Sequence, residues 1–132
     1  MKFEETYLND NILDALYDMR FDEMTPIQER CIPEILDGYD VLGIAQTGTG
    51  KTAAYLLPIL SQLDDGDYPK DAINCVIMSP TRELAQQIDQ AMQGFGYYLD
   101  EVSSVAVYGG NDGGRYEQEL RGMRLGADVL IA

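Results

Sequence analysis

The stretch from Ala45 to Thr52, AQTGTGKT, constrains this chain more than any other part of its sequence. It follows the apolar run DVLGI and precedes the helix-favouring run AAYLLPIL. Gly48 and Gly50 carry no side chain and can adopt positive φ, so successive backbone N–H groups can converge on an anion at the start of a helix. A strand, a glycine-rich loop and a helix in this order predict a phosphate-binding loop.

Lys51 and Thr52 give the predicted loop its chemistry. The lysine can reach the β and γ phosphates of a nucleotide, and the Thr52 hydroxyl can coordinate a Mg²⁺ that bridges the same oxygens. These two are the candidate catalytic residues, and Thr52 is the candidate metal ligand. Ala45 stands where the pattern GxxxxGK[ST] has its first glycine, and the alternative is a glycine-rich turn with a solvated lysine. The candidate nucleotide-binding residues of the loop are Gln46, Thr47, Gly48, Thr49, Gly50, Lys51 and Thr52.

Strand patterns alternate with helix patterns around the loop. Helical spacing of apolar residues predicts helices over residues 51–63, 81–95 and 114–125. Such alternation indicates an open, doubly wound α/β fold with a parallel sheet, whose ligands bind beyond the carboxyl ends of the strands. The predicted strands are short, apolar and rich in β-branched residues, and they are Asp40–Ala45, Asp71–Ser79, Val102–Tyr108 and Ala127–Ala132.

The first third of the chain has helical patterns only. Apolar spacing predicts an amphipathic helix over residues 8–17, and the string TPIQ predicts the start of another, because Thr25 and Gln28 fit a capping box. We therefore divide a single domain into a helical segment, residues 1–38, and an α/β core, residues 39–132. The core ends on a strand, as expected of a fragment of a longer domain.

Composition narrows the class of protein. The chain has 132 residues, enough for one compact domain, and 45% of them are hydrophobic. No apolar run approaches the ~20 residues of a membrane crossing, so we expect a soluble, cytoplasmic protein with no membrane partner. The absence of histidine excludes His-based zinc sites and Ser-His-Asp triads. Cys31 and Cys75 stand in apolar surroundings and are expected to be reduced core residues.

The charge balance limits contact with nucleic acid. Nine basic residues against 23 acidic ones give a net charge of −14, which is the wrong sign for a surface that binds a polyanion over its whole area. Any such contact must be local. The acidic, turn-rich stretch from Asp64 to Asp71 is interpreted as a solvated loop.

Three further strings narrow the function: FDEMTPIQ at Phe21–Gln28, PTRELA at Pro80–Ala85 and YGG at Tyr108–Gly110. Together with the phosphate loop, and in this order, they resemble the DEAD-box ATP-dependent RNA helicases. The resemblance extends over nearly the whole chain and corresponds to the first half or more of that family's N-terminal RecA-like domain. It implies ATP and Mg²⁺ as cofactors and RNA as a partner.

The resemblance places the nucleotide base near residues that precede the loop. Gln28 matches the glutamine of the family's Q motif, which reads adenine, and its amide can offer one acceptor and one donor. Phe3 lies at the distance where an aromatic ring of the family stacks on adenine, and Phe21 belongs to the same motif. The alternatives are that Gln28 only closes the capping box and that Phe3 is a core aromatic. Arg20 and Met24 replace the family's usual glycine and proline, which is expected to change loop stiffness and leave the adenine contacts intact.

The resemblance also implies contacts to the RNA backbone at Pro80, Thr81 and Arg82. Thr81 can cap the following helix, and Arg82 in its first turn favours an anion nearby. The alternative is plain capping with a solvated arginine. Backbone contacts of this kind bind RNA independently of its sequence and weaken with salt. Weaker matches, to the family's GG motif and QxxR pattern, are Gly109, Gly110, Gln118 and Arg121.

Hydrolysis is expected to need residues beyond these. The chain contains no Asp-Glu-Ala-Asp sequence and no second RecA-like domain with arginine fingers. We therefore expect these 132 residues to bind nucleotide without appreciable hydrolysis. Two alternatives from other classes are a phosphate-loop kinase or small-molecule NTPase, and a non-catalytic module that retains ATP, ADP or a phosphate-like anion. The oligomeric state is not indicated.

Overall fold

The N-terminal part of the protein is helical, as its apolar spacing predicts. The computed structural model describes residues 1–69, 72–107 and 127–132. A short 3-10 helix (Phe3–Glu5) precedes helices α1 (Asp10–Asp18) and α2 (Pro26–Leu36). The side chain of Asn9 accepts a hydrogen bond from the Ile12 N–H at 3.0 Å and so caps α1.

Helix α1 ends in a Schellman motif that has an arginine where glycine is usual. The Arg20 N–H donates to the Tyr17 carbonyl at 3.0 Å, and the Phe21 N–H donates to the Leu16 carbonyl at 2.9 Å. Arg20 is left-handed, with φ of 61°. A residue with a Cβ atom is strained in that conformation.

The described part of the sheet is parallel. Its strands are β1 (Cys75–Ile77), β2 (Ser104–Ala106) and β3 (Val129–Ile131), in the spatial order β1, β3, β2. Cys75 and Ser104 both lie opposite Val129 in the register. Helices α3 (Lys51–Asp65) and α4 (Arg82–Phe95) confirm two of the predicted helices. The predicted helix over residues 114–125 lies outside the described residues.

The predicted strand at Asp40–Ala45 is wrong. These residues are irregular and pair with no strand in the part of the chain that the structure describes. Leu42 and Ile44 are 88% and 84% exposed, whereas Gly43 faces α2, where an added Cβ atom would lie 3.4 Å from the Cys31 Sγ. A β-strand requires a neighbour that exchanges backbone hydrogen bonds with it, and an apolar sequence does not supply one.

One hydrophobic core joins the helices to the sheet. Helix α3 crosses its centre, with Leu56, Leu57 and Leu60 fully buried. Residues 46–48, Lys51 and residues 80–82 are left at the surface. Further core side chains come from α1, α2, α4, β1 and β3, and they include Ile12, Leu16, Ile32, Ile88, Met92, Ile77, Val129 and Ile131.

Candidate functional site

The predicted phosphate loop has the backbone that its glycines allow. Gly48 and Gly50 have φ of 84° and 82°, and Gly50 is the N-cap residue of α3. The Thr49 hydroxyl donates to the Gln46 carbonyl at 2.6 Å and closes the turn. The loop therefore leads directly into a helix N-terminus, where the first N–H groups lack intrahelical acceptors and the dipole favours an anion.

Lys51 is held over the loop that it follows. Its Nζ donates to the Ala45 carbonyl at 2.5 Å, and the side chain is exposed. A hydrogen bond from an ammonium group to a phosphate is stronger than one to a neutral carbonyl. Lys51 can therefore exchange this partner for a phosphate oxygen within reach of the same loop.

Gln28 connects α2 to the loop through both ends of its amide. The Thr25 N–H donates to the Gln28 Oε1 at 3.0 Å, and the Gln28 Nε2 donates to the Gly50 carbonyl at 3.1 Å. Gln28 is only 6% exposed. The first bond is the capping-box contact foreseen as the alternative to adenine recognition, while the second joins the Q-motif residue to the phosphate loop. The adenine role stays a prediction, for which the amide still has a second N–H and a second lone pair on Oε1.

Gly50 is needed at this junction for two reasons. Its positive φ is unfavourable for any residue with a Cβ atom, and an added Cβ would lie 2.3 Å from the Gln28 Nε2. The buried Thr25 Oγ1 lies on the same side, 3.3 Å from that Cβ position, and has no hydrogen-bond partner among the described residues. The junction therefore combines close packing with an unsatisfied polar atom.

The two phenylalanines assigned to the base line a groove in the described part of the chain that the loop does not reach. Phe3 is 4% exposed and belongs to the core, which is the alternative considered for it. Phe21 is 45% exposed, with its ring centroid 6.2 Å from that of Phe95. Both line one groove of about 710 Å³, to which none of residues 46–52 contributes. Their contact with a base remains a prediction.

The predicted RNA-contacting segment follows β1 directly. The Thr81 Oγ1 accepts the Leu84 N–H at 3.1 Å, so this residue caps α4 as predicted, and Arg82 is the first residue of the helix. Ser79 was missed by sequence reasoning: its N–H donates to the Ala132 carbonyl at 2.8 Å, which fixes the segment to the end of β3. Pro80, Thr81 and Arg82 are exposed. Gly109, Gly110, Gln118 and Arg121 lie outside the described residues.

Tyr55 is a second residue that the motifs did not indicate. Burial raises the pKa of its hydroxyl, a hydrogen bond with the Thr52 side chain opposes that rise, and the nearby Cys75 thiol adds to it. Tyr55 also lines a cavity of about 220 Å³ beside Lys51 and Cys31. The signal in the sequence was its position three residues after Thr52, which puts both side chains on one face of α3.

The cysteines are unpaired, as predicted. Cys31 is buried and Cys75 is half-buried. Burial raises the pKa of the Cys75 thiol, which therefore stays protonated at neutral pH. In the described ranges, no three His, Cys, Asp or Glu side chains form a group that could hold a metal ion, and no helix is long and apolar enough to cross a bilayer.

Comparison with protein families assigns the chain. The model of the DEAD/DEAH box helicases matches residues 25–132. The ATP-dependent RNA helicase DeaD of Escherichia coli K12 is 43% identical over 134 residues, a match that covers 98% of this chain and 20% of that protein. The Mycobacterium tuberculosis H37Rv protein of the same name is 38% identical over 129 residues, covering 98% and 22%. The chain thus spans about a fifth of the length of these relatives.

Solved structures agree with the family match. The RNA helicase Prp28 from Chaetomium thermophilum, bound to ADP, has a TM-score of 0.85 at 38% identity, covering 98% of this chain and 31% of that one. A DEAD box protein from Methanococcus jannaschii has a TM-score of 0.83 at 29% identity, covering 99% and 34%. The predicted α/β, RecA-like fold is confirmed, and no finding supports a phosphate-loop kinase or NTPase of another class. The chain belongs to the DEAD/DEAH box helicase family.

Proposed function

We propose that this chain is the ATP-binding portion of an RNA helicase that couples ATP binding and hydrolysis to the separation of short RNA duplexes. The observation that carries the proposal is the loop at residues 46–50, which has two left-handed glycines and opens onto the first turn of α3. Lys51 lies over this loop, and Gln28 is hydrogen-bonded to Gly50. The named relatives are ATP-dependent RNA helicases, which agrees with the proposal.

The residues at the loop are chemically suited to bind a nucleoside triphosphate. Backbone N–H groups at the start of α3 would bind phosphate oxygens, with Lys51 adding a charge-assisted hydrogen bond of about 1.5–3 kcal/mol. Thr52 would supply one hydroxyl ligand to Mg²⁺, which commonly takes its other ligands from phosphates and water. When bound, the ion would neutralise phosphate charge. Gln28 would select adenine, with Phe3 and Phe21 beside the base.

RNA would be bound locally, by residues around the end of β1. Thr81 and Arg82 begin α4, where the helix dipole favours a phosphate, and Pro80 precedes them. Since the net charge is −14, these contacts would act against the overall field of the protein. Because they would neutralise few phosphates, their affinity should fall only modestly with salt. The same role is proposed for Gly109, Gly110, Gln118 and Arg121. A cytoplasmic location is part of the same proposal.

Calorimetric titration of Mg²⁺–ATP into the chain tests the nucleotide site. Lys51→Ala is expected to weaken binding about ten- to a hundredfold, since it removes a charge-assisted hydrogen bond. Arg30→Ala is the matched control, because this exposed cation lies on α2 outside the loop. Equal affinities for the wild type and Lys51→Ala would contradict the proposal.

Hydrolysis is tested separately, by phosphate release from ATP with and without single-stranded RNA. These 132 residues are expected to show almost none, because their sequence contains no Asp-Glu-Ala-Asp to hold the metal and activate water. Robust RNA-stimulated release by the chain itself would overturn this expectation while leaving the binding proposal intact.

A further inference from the structure

The groove of about 710 Å³ lies between the N-terminal segment and one face of helix α1. The N-terminal wall is fixed to the loop before α2 by backbone pairing: the Phe3 N–H donates to the Asp22 carbonyl at 3.1 Å, and Lys2 pairs antiparallel with Glu23. Both walls therefore belong to hydrogen-bonded structure. We call this feature the acidic groove, after the carboxylates that line it: Glu4, Asp10, Asp14, Asp22 and Glu23.

The carboxylates of the acidic groove outnumber its cations. All five are exposed, and none is joined by an ion pair to another described residue. Lys2 is the single cation among the described residues that line the groove. The N-terminal ammonium is 3.5 Å from the Glu29 carboxylate, which lies outside it. Like charges around one concave surface repel each other, and a cationic ligand would relieve that repulsion.

Two aromatic rings lie among these carboxylates at the surface. Tyr17 and Phe21 both line the acidic groove and are 79% and 45% exposed. The Phe21 ring is held from the core side, with its centroid 6.2 Å from that of the buried Phe95. The faces of such rings attract cations, and a planar guanidinium stacks on them as an ammonium cannot. The groove thus presents carboxylates and ring faces to the same ligand.

We propose that the acidic groove docks an arginine-rich peptide segment of a protein partner. A guanidinium forms two parallel hydrogen bonds with a carboxylate and stacks on an aromatic ring, so it suits both kinds of group present. The lining residues of α1 run from Asp10 to Tyr17, about two helical turns or ~11 Å, which is the reach of about three extended peptide residues. The net charge of −14 would steer a cationic partner towards the chain.

Fluorescence anisotropy with a labelled peptide of alternating arginine and glycine tests the proposal. The buffer contains no nucleotide, because the two groove phenylalanines are also assigned to the base. The double variant Asp14→Asn, Asp22→Asn is expected to weaken binding about three- to tenfold, since exposed ion pairs contribute modestly. Asp67→Asn, Asp100→Asn removes the same charge from exposed residues outside the groove and is the matched control. Equal losses in the two double variants would overturn the proposal, because the peptide would then respond to net charge alone.

Tyr17→Ala tests the contribution of the rings. It is expected to weaken binding of the arginine peptide about two- to fivefold, through loss of one cation–π contact. Tyr39→Ala, at a tyrosine that is 65% exposed and outside the groove, is the matched control. A peptide of alternating lysine and glycine should bind the wild type more weakly. Equal affinities for the arginine and lysine peptides would overturn the assignment to arginine.

Two further outcomes would overturn the docking role. The first is a wild-type chain that binds the arginine peptide no more tightly than a peptide of alternating glutamate and glycine. The second is displacement of the arginine peptide by spermidine at the same concentration, since a small polyamine would then be the occupant. The inference does not depend on the proposed function, because every titration is made without nucleotide.

Discussion

The two ends of the parallel sheet use polar groups in opposite ways. At the amino ends, Asp128 is 4% exposed and joins all three strands: its carboxylate accepts from the Asn74 Nδ2 at 3.0 Å and from the Ser103 N–H at 3.1 Å. At the carboxyl ends, residues 80–82 are exposed, and Ser79 hydrogen-bonds to its own segment and to Ala132. One end buries a carboxylate among the strands, while the other leaves residues 80–82 at the surface.

The difference indicates that the amino ends of the strands contribute to stability and that the carboxyl ends are left for ligand binding. In open α/β sheets ligands bind beyond the carboxyl ends of the strands, so that end cannot be closed by side chains. The amino ends have no such constraint, and there a buried carboxylate can be fully satisfied. Variants at the Asp128 end should therefore change unfolding, whereas variants at the loop should mainly change binding.

Asp128→Ala is expected to have the largest effect. Removing the carboxylate leaves the Ser103 N–H without its acceptor, whereas the Asn74 Nδ2 keeps the Pro69 carbonyl at 3.0 Å. The free energy of unfolding should therefore fall by about 2–4 kcal/mol. Urea denaturation measures it. Asp100→Ala, at an exposed turn residue, should change stability by less than about 0.5 kcal/mol. If both variants unfold at the same urea concentration, the amino ends of the strands are not the stabilised end.

Gly50→Ala is expected to have the second-largest effect, and it should lower both the free energy of unfolding and the affinity for ATP. The backbone term costs about 1–2 kcal/mol, and the Cβ contact with the Gln28 Nε2 should break the bond between α2 and the loop and weaken ATP binding. Gly48→Ala is the matched control, because φ is 84° there and a Cβ would meet nothing within 4 Å. Urea denaturation and ATP calorimetry on both variants isolate the contact. Identical losses would show that the Gln28 bond is unimportant.

Arg20→Gly is expected to have the smallest effect, and in the opposite direction. Glycine should relieve the strain at φ of 61°, giving a gain of about 1 kcal/mol, less the entropy that glycine loses on folding. The Arg20→Gly variant measures the free-energy cost of a positive φ for a residue with a Cβ atom. It does so away from both ends of the sheet, and therefore independently of the Gly50→Ala variant. Arg20→Ala keeps a Cβ atom and should show no such gain. A thermal midpoint unchanged in Arg20→Gly would mean that positive φ costs little in this protein.

Sequence reasoning succeeded where the outcome depends on residues close together in the chain. The left-handed glycines of the loop, the Thr81 cap and the contact between Thr25 and Gln28 each involve partners at most three residues apart. The prediction failed at Asp40–Ala45, where the apolar pattern was correct but no described strand lies alongside to pair with it. An apolar sequence indicates a preference for burial, but it does not indicate whether a neighbouring strand is present to pair with it.

By itself, the sequence determined that a glycine-rich loop would open a helix with Lys51 and Thr52 in its first turn. Only the tertiary structure decided that Gln28 bonds to Gly50, 22 residues away, and that Asp128 joins strands whose preceding residues lie 25 and 54 positions distant. Local hydrogen bonds follow from backbone dihedrals that a few residues fix. Distant ones form only after packing of the core has set the separation and orientation of whole elements.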